Sequence, residues 1–388
     1  MNILYNYLTS ISLTIFTFSS LSAQVLSSPF VEESIDDIDI GYGLAIGDVD
    51  GDGSDDIILA DQKQFVWYRN GDWEKFVIAD NLTDRDNVCL AVEDINQDGK
   101  VEIAVGAQWN PGETTDTKAS GSVHYLMRPE NPEDKWKPVK LPHEPTVHRM
   151  QWVQTAKNDY QLIVLPLHGR GNKGGKGAGV KVYAYQMPQN PEDEWAMHLI
   201  DSSMHMTHNF TVDRSEIPAS LWVVGKEGIK KHEYAQNWET KELAELKEGA
   251  GEISLGQLGN KAFVSTIEPM HGTNLMLYTG KNFKNKTVLY DDLKQGHALV
   301  AADVLDMGKD QIIVGWREPN KKGKVGIKIF VPMDDTGESW MHYFIDDNGM
   351  ACEDLKVADL DQDGDLDIIA AGRATKNLKI YWNSRVNN

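Results

Sequence analysis

A nine-residue acidic pattern, D-x-D-x-D-G-x-x-D, constrains the fold of this chain more than any other feature. It reads Asp359-Leu-Asp-Gln-Asp-Gly-Asp-Leu-Asp367 and runs straight into Ile-Ile-Ala-Ala-Gly. It recurs as Asp48-Val-Asp-Gly-Asp-Gly-Ser-Asp-Asp56 before Ile-Ile-Leu-Ala, and as Asp94-Ile-Asn-Gln-Asp-Gly-Lys-Val-Glu102 before Ile-Ala-Val-Gly. Alternating oxygen ligands converge on a hard cation, and the glycine lets the backbone turn sharply around it. An EF-hand places helices on both sides of its loop and closes it with a later carboxylate. Here short strands flank the loop and closure comes earlier, which excludes that motif. The expected ligand sets for Ca2+ or Mg2+, in a structural role, are Asp48, Asp50, Asp52 and Asp56; Asp94, Asn96, Asp98 and Glu102; and Asp359, Asp361, Asp363 and Asp367.

The three loops anchor a repeat of roughly fifty residues, a period typical of propeller blades. Each unit reads as a strand, an acidic loop, an apolar strand, a third strand and a charged fourth strand. Third strands show as Phe65-Val-Trp-Tyr68, Ser122-Val-His-Tyr-Leu126, Val180-Lys-Val-Tyr-Ala-Tyr185, Asn274-Leu-Met-Leu-Tyr278, Val325-Gly-Ile-Lys-Ile-Phe330 and Leu378-Lys-Ile-Tyr-Trp382. Their β-branched and aromatic alternation argues for strands over helices. Worn loops at Ala302–Asp310 and Ser254–Gly259, with first strands near Gln154 and Asp213, bring the count to seven units. The seventh unit ends without a fourth strand. Phe30-Val-Glu-Glu-Ser-Ile-Asp-Asp37 resembles the fourth strand Met341-His-Tyr-Phe-Ile-Asp-Asp347 and is predicted to close the ring. Closure protects sheet edges. The expected fold is all-β, a seven-bladed propeller forming one domain over residues 24–388.

The formal net charge of −21 argues against nucleic-acid binding, which needs a basic face. Residues 1–23 read as a secretory signal, with a short apolar run from Ile11 to Phe18 and small residues at Leu21-Ser-Ala23. The run is too short to span a bilayer, and no other long apolar segment exists. Export to a periplasmic or extracellular, calcium-rich space suits weak oxygen-ligand sites. The two cysteines, Cys89 and Cys352, read as buried thiols in preference to a disulfide.

In such a propeller the acidic loops all lie on one face. The start of each first strand and the turn between second and third strands share the other. That second face collects Tyr42, Gln108, Trp109, His148, His168, Arg170, His205, His208, Lys226, Glu268, His271, His297, Trp316, Arg317, Glu353, Asp354 and Arg373. Imidazoles titrate near neutrality and ligate metals. Arg and Lys beside them stabilise an anion or enolate. Trp109 and Trp316 are placed to stack on sugar faces. His124, His198, His232 and His342 fall on outer strands and are expected at the surface. A zinc site would take His205 or His208 together with histidines of other blades. Gly169-Arg-Gly-Asn-Lys-Gly174 matches G-x-G-x-x-G, but a strand follows it and not a helix, so it is read as a lid carrying Arg170, Lys173 and Lys176.

The acidic-loop blades resemble the FG-GAP or VCBS repeats of integrin-type propellers. The turns are more specific. Pro166-Leu-His-Gly-Arg-Gly171, Glu268-Pro-Met-His-Gly272, Gly296-His-Ala-Leu-Val300, Ile312-Ile-Val-Gly-Trp-Arg317, Met350-Ala-Cys-Glu-Asp-Leu355 and Gly372-Arg-Ala-Thr-Lys-Asn-Leu-Lys-Ile-Tyr-Trp382 together resemble the propeller domain of aldos-2-ulose dehydratase and its bacterial relatives. The resemblance spans most of residues 30–383 and covers the dehydratase part alone, without the cupin domains of the fungal enzyme. It implies dehydration of a keto-sugar such as 1,5-anhydro-D-fructose. A neutral imidazole removes the proton α to the ketone, and hydroxide leaves from the β carbon. The candidates are His148, His208 and His297 as base, acid or metal ligand, with His168 and His271 beside them. Arg170 and Arg317 are candidates for oxyanion stabilisation, and Tyr42 for protonating the departing hydroxyl. Two other readings stay open: a polysaccharide lyase of the ulvan-lyase type acting on a uronate-containing glycan, and a non-catalytic propeller binding a glycan or protein.

Overall fold

Each acidic loop hands over to a strand that is buried along its whole length: Asp56–Ala60, Glu102–Ala107 and Asp367–Gly372. A continuous apolar run of this length is what a strand covered on both faces requires. The computed structural model describes residues 28–244 and 249–384, so the leader expected over residues 1–23 lies outside the described residues. It pairs the strands into seven four-stranded sheets. Six sheets follow chain order, beginning with Gly43–Gly47, Cys89–Glu93, Val147–Ala156, Thr207–Asp213, Glu252–Leu258 and Gly296–Ala302. The seventh runs Cys352–Ala358, Asp367–Gly372, Asn377–Asn383 and then Phe30–Asp37 from the other end of the chain. That pairing is antiparallel, with Phe30 opposite Asn383 and Asp37 opposite Asn377. The chain is an all-β seven-bladed propeller closed by its N-terminal strand, with blades numbered here in chain order.

The first strands lie against one another all round the ring, blade 7 against blade 1 included. The apolar cores lie between blades. Ile58, Phe65 and Trp67 of blade 1 pack with Ile103, Val105, Leu126 and Trp136 of blade 2. Across the closure, Ile57, Leu59 and Tyr68 pack with Leu360, Ile369 and Ile380 in the same way. Each such side chain, fully removed from water, stabilises by about 1.5–3 kcal/mol. Cys89 and Cys352 are free and buried.

Two expectations fail here. His124 and His232 are 6 % and 0 % exposed, not surface residues. They sit on third strands, Ser122–Met127 and Gly228–Tyr234, and the fourth strand and the neighbouring blade cover those positions. His198 and His342, on fourth strands, are exposed as expected.

Burial pushes the imidazole of His124 down to about 4, and its Nδ1 has no hydrogen-bond partner among the described residues. Its folded-state value therefore lies below the unfolded value of about 6.5, so the unfolded chain takes up the proton first as pH falls. Stability should drop between those two values by up to about 1.4 kcal/mol per pH unit for this residue. Urea melts between pH 7.5 and pH 5 of the wild type and of His124→Phe check this. The variant should show the shallower pH dependence, and equal slopes would remove His124 from the account.

Candidate functional site

In blades 3, 4, 6 and 7 the first strand slips register by one residue against the second. The slips fall at His148, His208, His297 and Glu353. Blades 1, 2 and 5 pair without a slip at this level. A bulge takes one residue out of the ladder and re-aims its side chain. It also frees that residue's carbonyl, and two of these carbonyls accept an imidazole from the preceding bulged blade. His148 donates through Nδ1 to the His208 carbonyl at 2.7 Å, and His297 to the Glu353 carbonyl at 2.6 Å. His208 donates through Nδ1 to the carbonyl of Gly251 in blade 5, at 2.9 Å. With the proton held on Nδ1, each Nε2 carries a lone pair.

His271 joins the group from the turn after Lys261–Glu268, in a left-handed backbone conformation with φ of 54°. Its Nε2 lies 2.6 Å from Nε2 of His208. Because the His208 Nε2 is an acceptor, His271 supplies the proton between them. Ring centroids of His208, His271 and His297 lie 4.4 to 5.2 Å apart, and one ligand nitrogen from each falls within 4.8 Å of the others. His148 stands beside this triad, its ring 4.6 Å from that of His208. Its Nε2 faces the Arg149 guanidinium at 3.3 Å and the indole of Trp109 lies against its ring.

Burial holds all these imidazoles neutral. It lowers His148, His208 and His297 far below the usual value, and with help from neighbouring cations it brings His271 down to about 2. Burial likewise raises the Glu252 carboxyl to about 7 and the Tyr42 phenol to about 12.

Glu353, 2 % exposed, is the charge hub beside the triad. Arg317 reaches both its oxygens at 2.8 Å, and Arg373 reaches one at 2.9 Å. Its Oε1 lies 3.8 Å from Nε2 of His297. The Arg373 guanidinium also sits over the Tyr42 ring at 5.2 Å, and the Tyr42 hydroxyl donates to Asp86 at 3.1 Å.

The structure thus gathers His148, His208, His271 and His297, with Arg317 and Tyr42 joined to the same surroundings through Glu353 and Arg373. The remaining two candidates have other partners. His168 bonds through its backbone to Thr146 and bridges to Met206. Arg170 pairs with Glu144 at 2.9 Å. The glycine-rich segment is tied down by Asn172, which is fully buried and donates to the carbonyls of Ala178 and His205. Trp316 is 0 % exposed and donates its indole N–H to Lys324, so no sugar face reaches it. Three residues were missed in the sequence as site residues: Arg149, Asn209 and Glu252. A signal for the bulge positions was present, because Val147-His-Arg-Met150, Thr207-His-Asn-Phe210, Gly296-His-Ala-Leu299 and Cys352-Glu-Asp-Leu355 share one register.

The acidic loops follow the ends of first strands, so they lie on the opposite face. Asp48, Asp50 and Asp56 converge, as do Asp359, Asp361 and Asp367. In all three loops the glycine amide bonds to the first aspartate, at 2.9, 2.9 and 3.0 Å. Asp52 and Asp363 receive the amides of Ser54 and Asp365. In the second loop the Asn96 amide donates to Asp98 and to Glu102, the closing carboxylate.

Residues 120–281 match the family described as aldos-2-ulose dehydratase, beta-propeller domain, and residues 48–105 match the FG-GAP-like repeat. No curated protein matches the chain significantly. Among solved structures, BBS1N from its complex with ARL6DN is 13 % identical, with a TM-score of 0.57, 93 % of this chain covered and 99 % of that one. A chain of the mitotic checkpoint complex is 10 % identical, with a TM-score of 0.56 and coverage of 100 % and 99 %. An ancestral GH74 enzyme is 12 % identical at a TM-score of 0.57, over 88 % of this chain and 45 % of its own. These structures share the fold. The dehydratase match spans His148, His208 and His271.

Glu353→Ala should destabilise the protein by about 3–5 kcal/mol, because it strands Arg317 in a partly buried site without its carboxylate. Urea denaturation of the variant measures this directly. A loss under about 1 kcal/mol would mean that solvent, not Glu353, stabilises that guanidinium.

Proposed function

We propose that this chain is a carbohydrate lyase that removes water from a keto-sugar such as 1,5-anhydro-D-fructose, with a divalent cation held by His208, His271 and His297. The observation that carries the reading is the convergence of three neutral imidazoles from three different blades on one point. Nitrogen donors of this kind suit zinc, whose bonds of about 2.0–2.1 Å set tetrahedral ligands about 3.3 Å apart. The 2.6 Å between His208 and His271 needs only a small expansion, once His271 shifts its proton from Nε2 to Nδ1. Two of the three rings already donate Nδ1–H to a carbonyl, the arrangement that prepares Nε2 as a ligand. When bound, the cation supplies Lewis-acid polarisation of the substrate carbonyl.

The chain's own groups carry the proton steps. His148, neutral beside the triad, takes the proton α to the ketone. The C–H electron pair first moves into the enolate, and its return forms the new C=C bond as the β C–O bond breaks. Tyr42 is protonated at neutral pH, burial raises it further to about 12, and it gives its proton to the departing hydroxide to make water. Arg317 and Arg373 offset the negative charge on the enolate oxygen. Both guanidiniums are already shared with Glu353, which leaves the trio a single net positive charge. The Glu353 carboxylate competes with any substrate carboxylate for both guanidiniums, which weighs against the uronate of an ulvan-type lyase. The match of residues 120–281 to the dehydratase propeller supports the same choice.

The test is direct. Purified protein with 1,5-anhydrofructose should develop ultraviolet absorbance from a conjugated enone, and with ulvan it should not. His208→Ala and His297→Ala, with unchanged far-ultraviolet circular dichroism, should each lose at least about 100-fold in rate. Unchanged rates, or no product from the wild type, would overturn the reading.

The acidic loops are assigned to Ca2+ or Mg2+ as scaffold. Burial raises the closing carboxylates Asp56 and Glu102 to about 7 and Asp367 to about 6, and a divalent cation relieves that cost. Asp361→Ala should lower the melting temperature measured in calcium by several degrees and leave kcat within about twofold. A fall in kcat with no change in melting would place the chemistry on the loop face instead.

A further inference from the structure

Behind the triad stands a carboxylate that the proposed chemistry does not use. Glu252 begins the first strand of blade 5, is 3 % exposed and lines a central cavity of about 750 Å³. Its Oε1 lies 3.0 Å from Nδ1 of His208. Among the described residues that oxygen makes no hydrogen bond of its own, because the Nδ1 proton points to the Gly251 carbonyl at 2.9 Å. Its other oxygen accepts from the side-chain amide of Asn209. His208-Asn209 of blade 4 and Gly251-Glu252 of blade 5 therefore lock together residue by residue. Gly251 permits the approach: a Cβ there would come within 3.0 Å of the His271 amide nitrogen and 3.6 Å of His208 Nδ1.

A buried carboxylate oxygen left without a partner calls for an explanation. A structural strut needs the Asn209 bond and nothing more. An oxygen held behind a ligand imidazole has a further use, because a metal-bound histidine donates its back N–H to a carboxylate or carbonyl, and the carboxylate raises the basicity of the ring. A dication in front of His208 makes its Nδ1–H a stronger donor and offsets the buried negative charge of Glu252.

From this geometry we infer that Glu252 is the positioning residue of the metal centre, sharing the His208 Nδ1 proton with Gly251 and strengthening Nε2 as a donor to the cation. This rests on the divalent-cation reading above. The experiment uses the full chain stripped of metal, with calcium present to occupy the acidic loops. Zn2+ affinity is measured by competition with a chromophoric chelator, and the visible spectrum is recorded with Co2+. The wild type should bind one Zn2+, Glu252→Gln should bind it 10- to 100-fold more weakly with a shifted Co2+ spectrum, and melting of the metal-free protein should be unchanged. Asn209→Ala, which frees the carboxylate without removing it, should lose about threefold or more, and decides the matter if the Gln variant does not fold. Wild-type affinity in both variants overturns the role of Glu252. So does a fall in metal-free melting with affinity retained, which is the behaviour of a strut. A wild type that binds no Zn2+ overturns the metal reading itself.

Discussion

Everything at the axis depends on the closure of the ring. The pairing of Phe30–Asp37 with Asn377–Asn383 brings blade 7 against blade 1, and only then do the first strands form a complete inner wall. Three of the four clustered histidines take their anchors from the next blade. The imidazole of His148 hangs on blade 4, that of His208 on blade 5, that of His297 on blade 6's successor. Asp354 of blade 7 in turn accepts the Leu44 amide of blade 1 at 2.8 Å, across the seam. A propeller that opened at that seam would lose the angle between neighbouring blades, and with it the acceptors that fix the histidine tautomers.

The chemistry follows from burial as much as from residue type. Imidazoles this deep stay neutral, and a neutral nitrogen keeps the lone pair on which the proposed base and ligand roles depend. The arginines are tied to Glu353, so the site carries only a modest positive charge within a chain of net charge −21. The clustered carboxylates of the acidic loops sit at the other end of the first strands. The two donor types are therefore separated by the length of a strand, hard oxygen on one face and imidazole nitrogen on the other.

The blade count, the closing strand and the separation of faces were all legible in the sequence, because each rests on local pattern. The acidic loops mark the first-to-second turns, and alternation marks the third strands. The third strand of blade 4, Gly228–Tyr234, escaped notice because Lys230, Lys231 and Glu233 interrupt its apolar pattern. Burial of His124 and His232 was not legible, since a third strand becomes interior only when the next blade packs on it. His168 and Arg170 stand on the expected face, but face membership says nothing about reach: their partners, Thr146 and Glu144, lie on the approach to blade 3. The axial group depends on one-residue slips in register, and a slip has no compositional mark. It is visible only when the four strand starts are laid over each other.

The worn loop of blade 6 separates what the loop shape needs from what a cation needs. Asp303 still accepts the Gly308 amide at 2.7 Å, as the first aspartate does in the three intact loops. Where those loops close with Asp56, Glu102 or Asp367, this one closes with Gln311, whose carbonyl oxygen accepts the Leu305 amide at 2.8 Å. A neutral amide therefore holds the same turn in the place of the closing carboxylate. The turn itself cannot be the reason that Asp48, Asp50 and Asp56, or Asp359, Asp361 and Asp367, crowd three carboxylates together. Crowding of that kind is costly unless a positive charge offsets it. The same comparison applies at the axis: blades 1, 2 and 5 show that a first strand pairs well without a slip, so the four slips are explained by the side chains they turn inward and not by the propeller.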